Sequence, residues 1–136
     1  MLTTLAKKKF LSVGDANARL PLLRSILRNV IDLAVELKVR HEELFLLQSG
    51  GSTDPNLEAE LDAKQRTMET YAAEIRQLGA ELKDAFIGLV DFPGWLDGRE
   101  VCLCWKLGEA AVEHWHETDV GFAGRRPLRS APRHSA

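Results

Sequence analysis

The chain has 136 residues, 45% of them apolar and 28% charged, with a formal net charge of −2. That is enough for one domain with a modest core, and a second domain is not expected. Near-neutral charge argues against a dedicated nucleic-acid binder, whose footprint is a clustered positive face. The basic clusters here, Lys7-Lys8-Lys9 and Arg125-Arg126 with Arg129 and Arg133, lie near the ends and read as solvated termini.

No run approaches membrane-spanning length. Leu2 to Ala6 is too short for the core of a secretory signal, and lysines follow it rather than precede it. The expectation is a cytoplasmic protein that does not touch membrane, with Cys102 and Cys104 kept as thiols. A bridge between residues i and i+2 would be badly strained, which excludes a structural disulfide.

In chain order, Ser12 and Asp15 have the form of a capping box and predict a short helix. Pro21 is best tolerated in a first helical turn, so a long helix is expected over residues 21–48. Its stripe is Leu23, Leu27, Val30, Ala34, Leu37, His41 and Leu44, with His41 a partly exposed core position. Residues 49–55, SGGSTDP, form a loop. A second helix is expected over 56–84, with Leu57, Leu61, Met68, Tyr71, Ile75, Leu78 and Leu82 at heptad spacing and only Lys64 interrupting the seam.

Both helices come to roughly 40 Å at 1.5 Å per residue, so the short connection predicts a matched antiparallel hairpin, coiled-coil-like, over about 21–84. Apolar positions left over on it, such as Leu46 or Ala72, predict a homodimer through the hairpin.

From Ala85 the period shortens. Phe86 to Val90 reads as a strand with Gly88 a bulge, and Pro93-Gly94 and Asp97-Gly98 as turns. Residues 99–106 are the clearest strand, with Val101, Leu103 and Trp105 on the face toward the helices and Glu100, Cys102, Cys104 and Lys106 on the other. Residues 111–117 form a third strand with His114 and His116 sharing a face, and Phe10-Leu11 a short fourth at an edge. The expected fold is α+β: a helical hairpin packed on a small antiparallel sheet of three or four strands over about 85–120, in one domain of residues 1–128 with a disordered tail at 129–136.

Candidate chemistry gathers in this last third. Cys102 and Cys104 opposite His114 and His116 would make a zinc-like set, but i,i+2 ligands on a flat sheet rarely converge on one tetrahedral centre. An oxygen-rich set of His116, Glu117 and Asp119 with Asp91, and Glu109 as a further member, suits zinc, manganese or iron as well as acid–base work. The plain alternative is a hydrogen-bonded network fixing His116. Cys104, His116 and Asp91 have the types needed for nucleophilic catalysis, without any protease-type signature around them. Trp95, Trp105 and Trp115 read as core rather than as a ligand pocket. The segment GFAGRRP at 121–127 pairs tight-turn glycines with guanidinium groups that would clamp an anion, and its plain alternative is a closing turn.

Several motifs together carry a resemblance: Asp15-Ala16-Asn17 and Leu20-Pro21, then Gly88 to Pro93, Gly98 to Val101, Cys104 to Glu109, and Trp115-His116-Glu117 through Gly121 to Arg125. The chain resembles a bacterial family catalogued as domain of unknown function 2203, over about residues 10–128. The resemblance implies a small bacterial cytosolic protein and brings no activity with it. In the family's pattern an aromatic often stands where Cys102 and His114 stand here, whereas Asp91, Cys104, His116 and Glu117 fall inside matching motifs. That weighs against the four-ligand Cys/His set and toward the carboxylate–histidine cluster.

The reading is a non-catalytic binding or interaction protein whose sheet-end cluster holds a divalent metal. His116 donates a nitrogen, Glu117, Asp119 and Asp91 donate oxygens, and Arg125 anchors an anion or a neighbouring carboxylate. The alternative is a small metal-assisted hydrolase with Glu117 or Asp91 as base.

Overall fold

A computed structural model describes residues 9–130. Lys7 and Lys8 of the N-terminal basic cluster and residues 131–136 of the expected tail lie outside the described residues. Three helices, α1 (Val13–Ala18), α2 (Leu20–Ser49) and α3 (Pro55–Gln77), precede five strands: β1 (Glu81–Asp84), β2 (Leu89–Leu96), β3 (Arg99–Lys106), β4 (His114–Glu117) and β5 (Arg126–Pro127). Leu128–Ser130 closes the described chain as a single 3-10 turn. The class is α+β, with a five-stranded antiparallel sheet in the order β1-β2-β3-β4-β5 where three or four strands were expected.

Local signals set the helix ends. Ser12 Oγ accepts from the Asp15 amide at 3.0 Å and the Ser12 amide donates back to Asp15, the reciprocal pair that opens α1. Asp54 caps α3 by accepting from the amides of Asn56 and Leu57. The helix expected to reach residue 84 ends at Gln77. Gly79 takes φ +86 there, its amide donates to the Arg76 carbonyl and the Ala80 amide to that of Ile75. This left-handed cap halts the helix whatever the heptad pattern beyond it. Leu82 consequently sits in β1 opposite Val90.

The strand boundaries also move. Phe86 and Ile87 are exposed in a turn rather than in a strand, and Gly88 at φ +64 serves that turn instead of a bulge. Pro93-Gly94, expected to turn, lies inside β2. β1 pairs only with residues 89–91, so farther along that side of β2 carries no strand. The Leu11 amide donates to the Pro93 carbonyl there at 2.8 Å, as a lone bridge where an edge strand was expected. A residue's N–H and C=O point the same way in a strand, so the donor that proline lacks is missing on that side and the β2–β3 ladder loses nothing. Gly94 is required by packing: a Cβ there would stand 2.7 Å from Leu103 Cγ.

One face of the sheet builds the core. Val90, Phe92, Val101, Leu103, Trp105 and Trp115 are all buried and cluster with Leu20, Leu23, Leu27 and Val30 of α2 and Ile75 of α3. Trp95, expected in the core, is half exposed and stacks edge-on against Phe10. Farther out, Leu33, Leu37, Leu57 and Leu61 form a second buried cluster between α2 and α3. Lys64, the residue that interrupts the heptads, reaches Glu36 at 3.0 Å. His41 is exposed.

Candidate metal centre

The opposite face of the sheet is polar, and strand alternation decides which residues reach it. Asp91 pairs with Cys104, Cys104 with His114, and Cys102 with His116. All five side chains therefore share the outer face. Among them Asp91, Cys104 and His116 bring an oxygen, a sulfur and a nitrogen within 4.8 Å of one another. The three residues are only 6%, 0% and 3% exposed, respectively.

The hydrogen bonds determine what this group can do. His116 Nδ1 lies 2.8 Å from the Glu117 carbonyl oxygen, which can only accept, so Nδ1 carries a hydrogen. His116 Nε2 then faces Asp91 Oδ2 at 3.0 Å. Two bare lone pairs at that separation repel, so a proton lies between them, borne by one partner or the other. Asp91 Oδ1 is buried with no hydrogen-bond partner among the described residues, a condition worth about 1–3 kcal/mol of lost solvation.

Burial first, and then the charge of Asp91, push the Cys104 thiol up to about 12, although the Arg125 guanidinium 3.9 Å from its sulfur pulls the other way. Cys104 is thus a thiol at neutral pH. The nucleophilic reading of Cys104, His116 and Asp91 fails here although the three lie together: both ring nitrogens of His116 are engaged, and neither is left to take the thiol proton.

Of the metal ligands expected from sequence, the structure brings together His116 and Asp91 and leaves Glu117 and Asp119 apart. Glu117 follows His116 directly, so its side chain leaves on the opposite face, where it meets Arg99 at 2.9 Å. Asp119 is exposed in the following loop. Glu109 instead receives both terminal nitrogens of Arg125 and accepts from the Lys106 amide at 3.0 Å. Arg125, expected to anchor an anion or a carboxylate, holds the Glu109 carboxylate and stacks over Phe122 at 4.5 Å. Cys102 and His114 fall outside the close group, with His114 Nδ1 3.8 Å from Glu109.

Cys104 is the member that the oxygen-rich set omitted. Its outward parity on β3 was legible, but the pairing that sets it against Asp91 depends on Pro93-Gly94 being strand rather than turn. Asp91 also lines a cleft of about 480 Å³ together with Lys83, Pro93, Cys102 and Thr118.

Fold and site define a small α+β protein with, among the described residues, one buried oxygen, sulfur and nitrogen donor group on the outer face of its sheet. Residues 9–128 match the family described as "Uncharacterized conserved protein (DUF2203)", and the chain belongs to it. No curated protein and no solved structure matches the chain. Among the described residues no helix is long and apolar enough to cross a membrane.

Proposed function

We propose that this is a non-catalytic binding protein that holds a divalent metal between Asp91, Cys104 and His116. The observation that carries the reading is the buried pair of His116 Nε2 and Asp91, with one carboxylate oxygen left unpartnered beside the Cys104 sulfur. An ion at that point takes the place of the thiol proton. Glu117 contributes through its main chain, because its carbonyl orients the imidazole so that Nε2 is the ligand atom. One sulfur, one nitrogen and one oxygen suit zinc better than manganese, which prefers oxygen alone, and iron is the second choice.

Hydrolysis is the weaker reading. Asp91 is occupied as a ligand, and Glu117, the other candidate base, is paired with Arg99 on the far face. A homodimer is the assembly we propose, because Val35, Val39 and Leu46 recur at helical spacing along α2 and are 51%, 54% and 70% exposed.

The test of the metal reading is metal analysis on protein purified without an affinity tag and loaded with zinc, beside a Cys104→Ser and His116→Ala double variant whose folding is checked by circular dichroism. We expect about one ion per chain in the parent and a loss of most of it in the folded variant. Equal metal content in the two removes the site.

A further inference from the structure

A zinc ion that only braces a fold is closed by four protein ligands, whereas three protein ligands leave a position for something from outside. Three donors form the close group here. Cys102 stands opposite His116 in the ladder, but it lies outside the set whose donor atoms approach within 4.8 Å. The three donors are also unequally enclosed. Of the three, Asp91 alone lines the cleft of about 480 Å³, so the centre meets that cleft through Asp91.

Charge decides what would enter. A divalent ion on the centre is neutralised by the Asp91 carboxylate and a Cys104 thiolate. What remains around the cleft is Lys9, Arg76 and Lys83 against Glu81 and Glu100, three cations facing two carboxylates. Glu81 and Lys83 pair at 2.8 Å, which leaves Lys9 and Arg76 against Glu100 as the excess positive charge. The Lys83 ammonium is raised first by its bond to Glu81 and, after the opposing effect of burial, also by the charges of Glu81, Asp91 and Cys102, which puts it within electrostatic reach of the centre. Arg76, near the end of α3, and Lys9 are further walls of the same cleft.

Resting on the metal reading above, we infer that the loaded cleft binds a small oxyanion, a phosphate or a carboxylate, with one oxygen on the metal and the others on Lys83 and Arg76. An oxyanion suits both ends: it offers a hard oxygen to the ion and further acceptors to an ammonium and a planar guanidinium. Cations at the mouth also draw anions toward a concave site.

Cobalt(II) reports this directly. The whole chain is loaded with cobalt, and the thiolate-to-cobalt charge-transfer band and the ligand-field bands are recorded. Inorganic phosphate and acetate are then titrated in separate series, with chloride at matched ionic strength as control. We expect a saturable change in the ligand-field bands with at least one of the two oxyanions and none with chloride. A Lys83→Gln and Arg76→Gln double variant should need roughly tenfold or more anion for the same change per cobalt bound, the value of one charge-assisted hydrogen bond. Phosphate acting alone identifies a phosphate site, and acetate acting as well identifies a general carboxylate and phosphate site.

If cobalt binds with its charge-transfer band and neither oxyanion moves the ligand-field spectrum, the inference is overturned while the metal reading stands. The inference also falls if a Cys102→Ala substitution diminishes the charge-transfer band, because Cys102 would then close the shell. No charge-transfer band at all sinks the metal reading and this inference with it.

Discussion

Zinc entering the Asp91, Cys104 and His116 group would have to displace the Cys104 thiol proton. With the Cys104 thiol held up to about 12, ionising it at pH 7 opposes binding by about 7 kcal/mol, taking 1.36 kcal/mol for each pH unit. Structural zinc sites bind with apparent free energies of about 10–16 kcal/mol at neutral pH, so zinc is expected here at a weaker affinity than at sites whose thiols ionise near their ordinary value. Binding at neutral pH should therefore release the thiol proton, and apparent affinity should rise about tenfold per pH unit near neutrality. Calorimetry in buffers of different ionisation enthalpy counts the protons, and competition with a chelator of known affinity gives the slope. Release of none, or an affinity that is flat across neutral pH, would refute this reasoning even if a metal binds.

Burial alone would raise the Glu109 carboxyl, but the hydrogen bond from Arg125, the Lys106 amide and nearby positive charge outweigh it and hold the carboxyl below its ordinary value of 4.5. A depressed carboxyl contributes stability that is present above that ordinary value and lost as pH falls through the folded one. Urea midpoints of the parent should fall more steeply on acidification below pH 4.5 than those of Glu109→Gln, and superimposable profiles would defeat the assignment. Gly94→Ala would press a methyl to 2.7 Å from Leu103 Cγ and should cost about 1–3 kcal/mol, read as a lowered Tm; a variant as stable as the parent would contradict the close approach. Light scattering over a dilution series should show a dimer that Val35→Glu with Val39→Glu converts to a monomer. A parent that is monomeric at every concentration ends the dimer proposal.

How far the fold could be read from the chain follows the range of the forces involved. The capping box at Ser12 and the loop at 49–55 are local signals, and α1 and α2 begin and end within a residue or two of where those signals place them. Period-two alternation located β3 and assigned its faces, since Val101, Leu103 and Trp105 are all buried. Heptad spacing ran on past Gln77 because Leu82 satisfies an apolar position in either a helix or a strand. Gly79, the residue that decides, looks like an ordinary interior glycine until its φ is seen.

The site divides in the same way. Composition placed Asp91, Cys104 and His116 in one third of the chain, and parity along β4 already separates His116 from Glu117, a signal that adjacency in sequence obscured. What remained for tertiary structure was register. Pro93 can lie in β2 only because β1 has stopped short of it, and Gly94 only because Leu103 fills the space of its missing side chain. Those two facts extend the β2–β3 ladder and set Asp91 across from Cys104. Backbone propensity and periodicity act over a few residues and are written in the chain. Pairing between strands is chosen by the packing of the whole sheet, and the partners of a buried carboxylate are chosen with it.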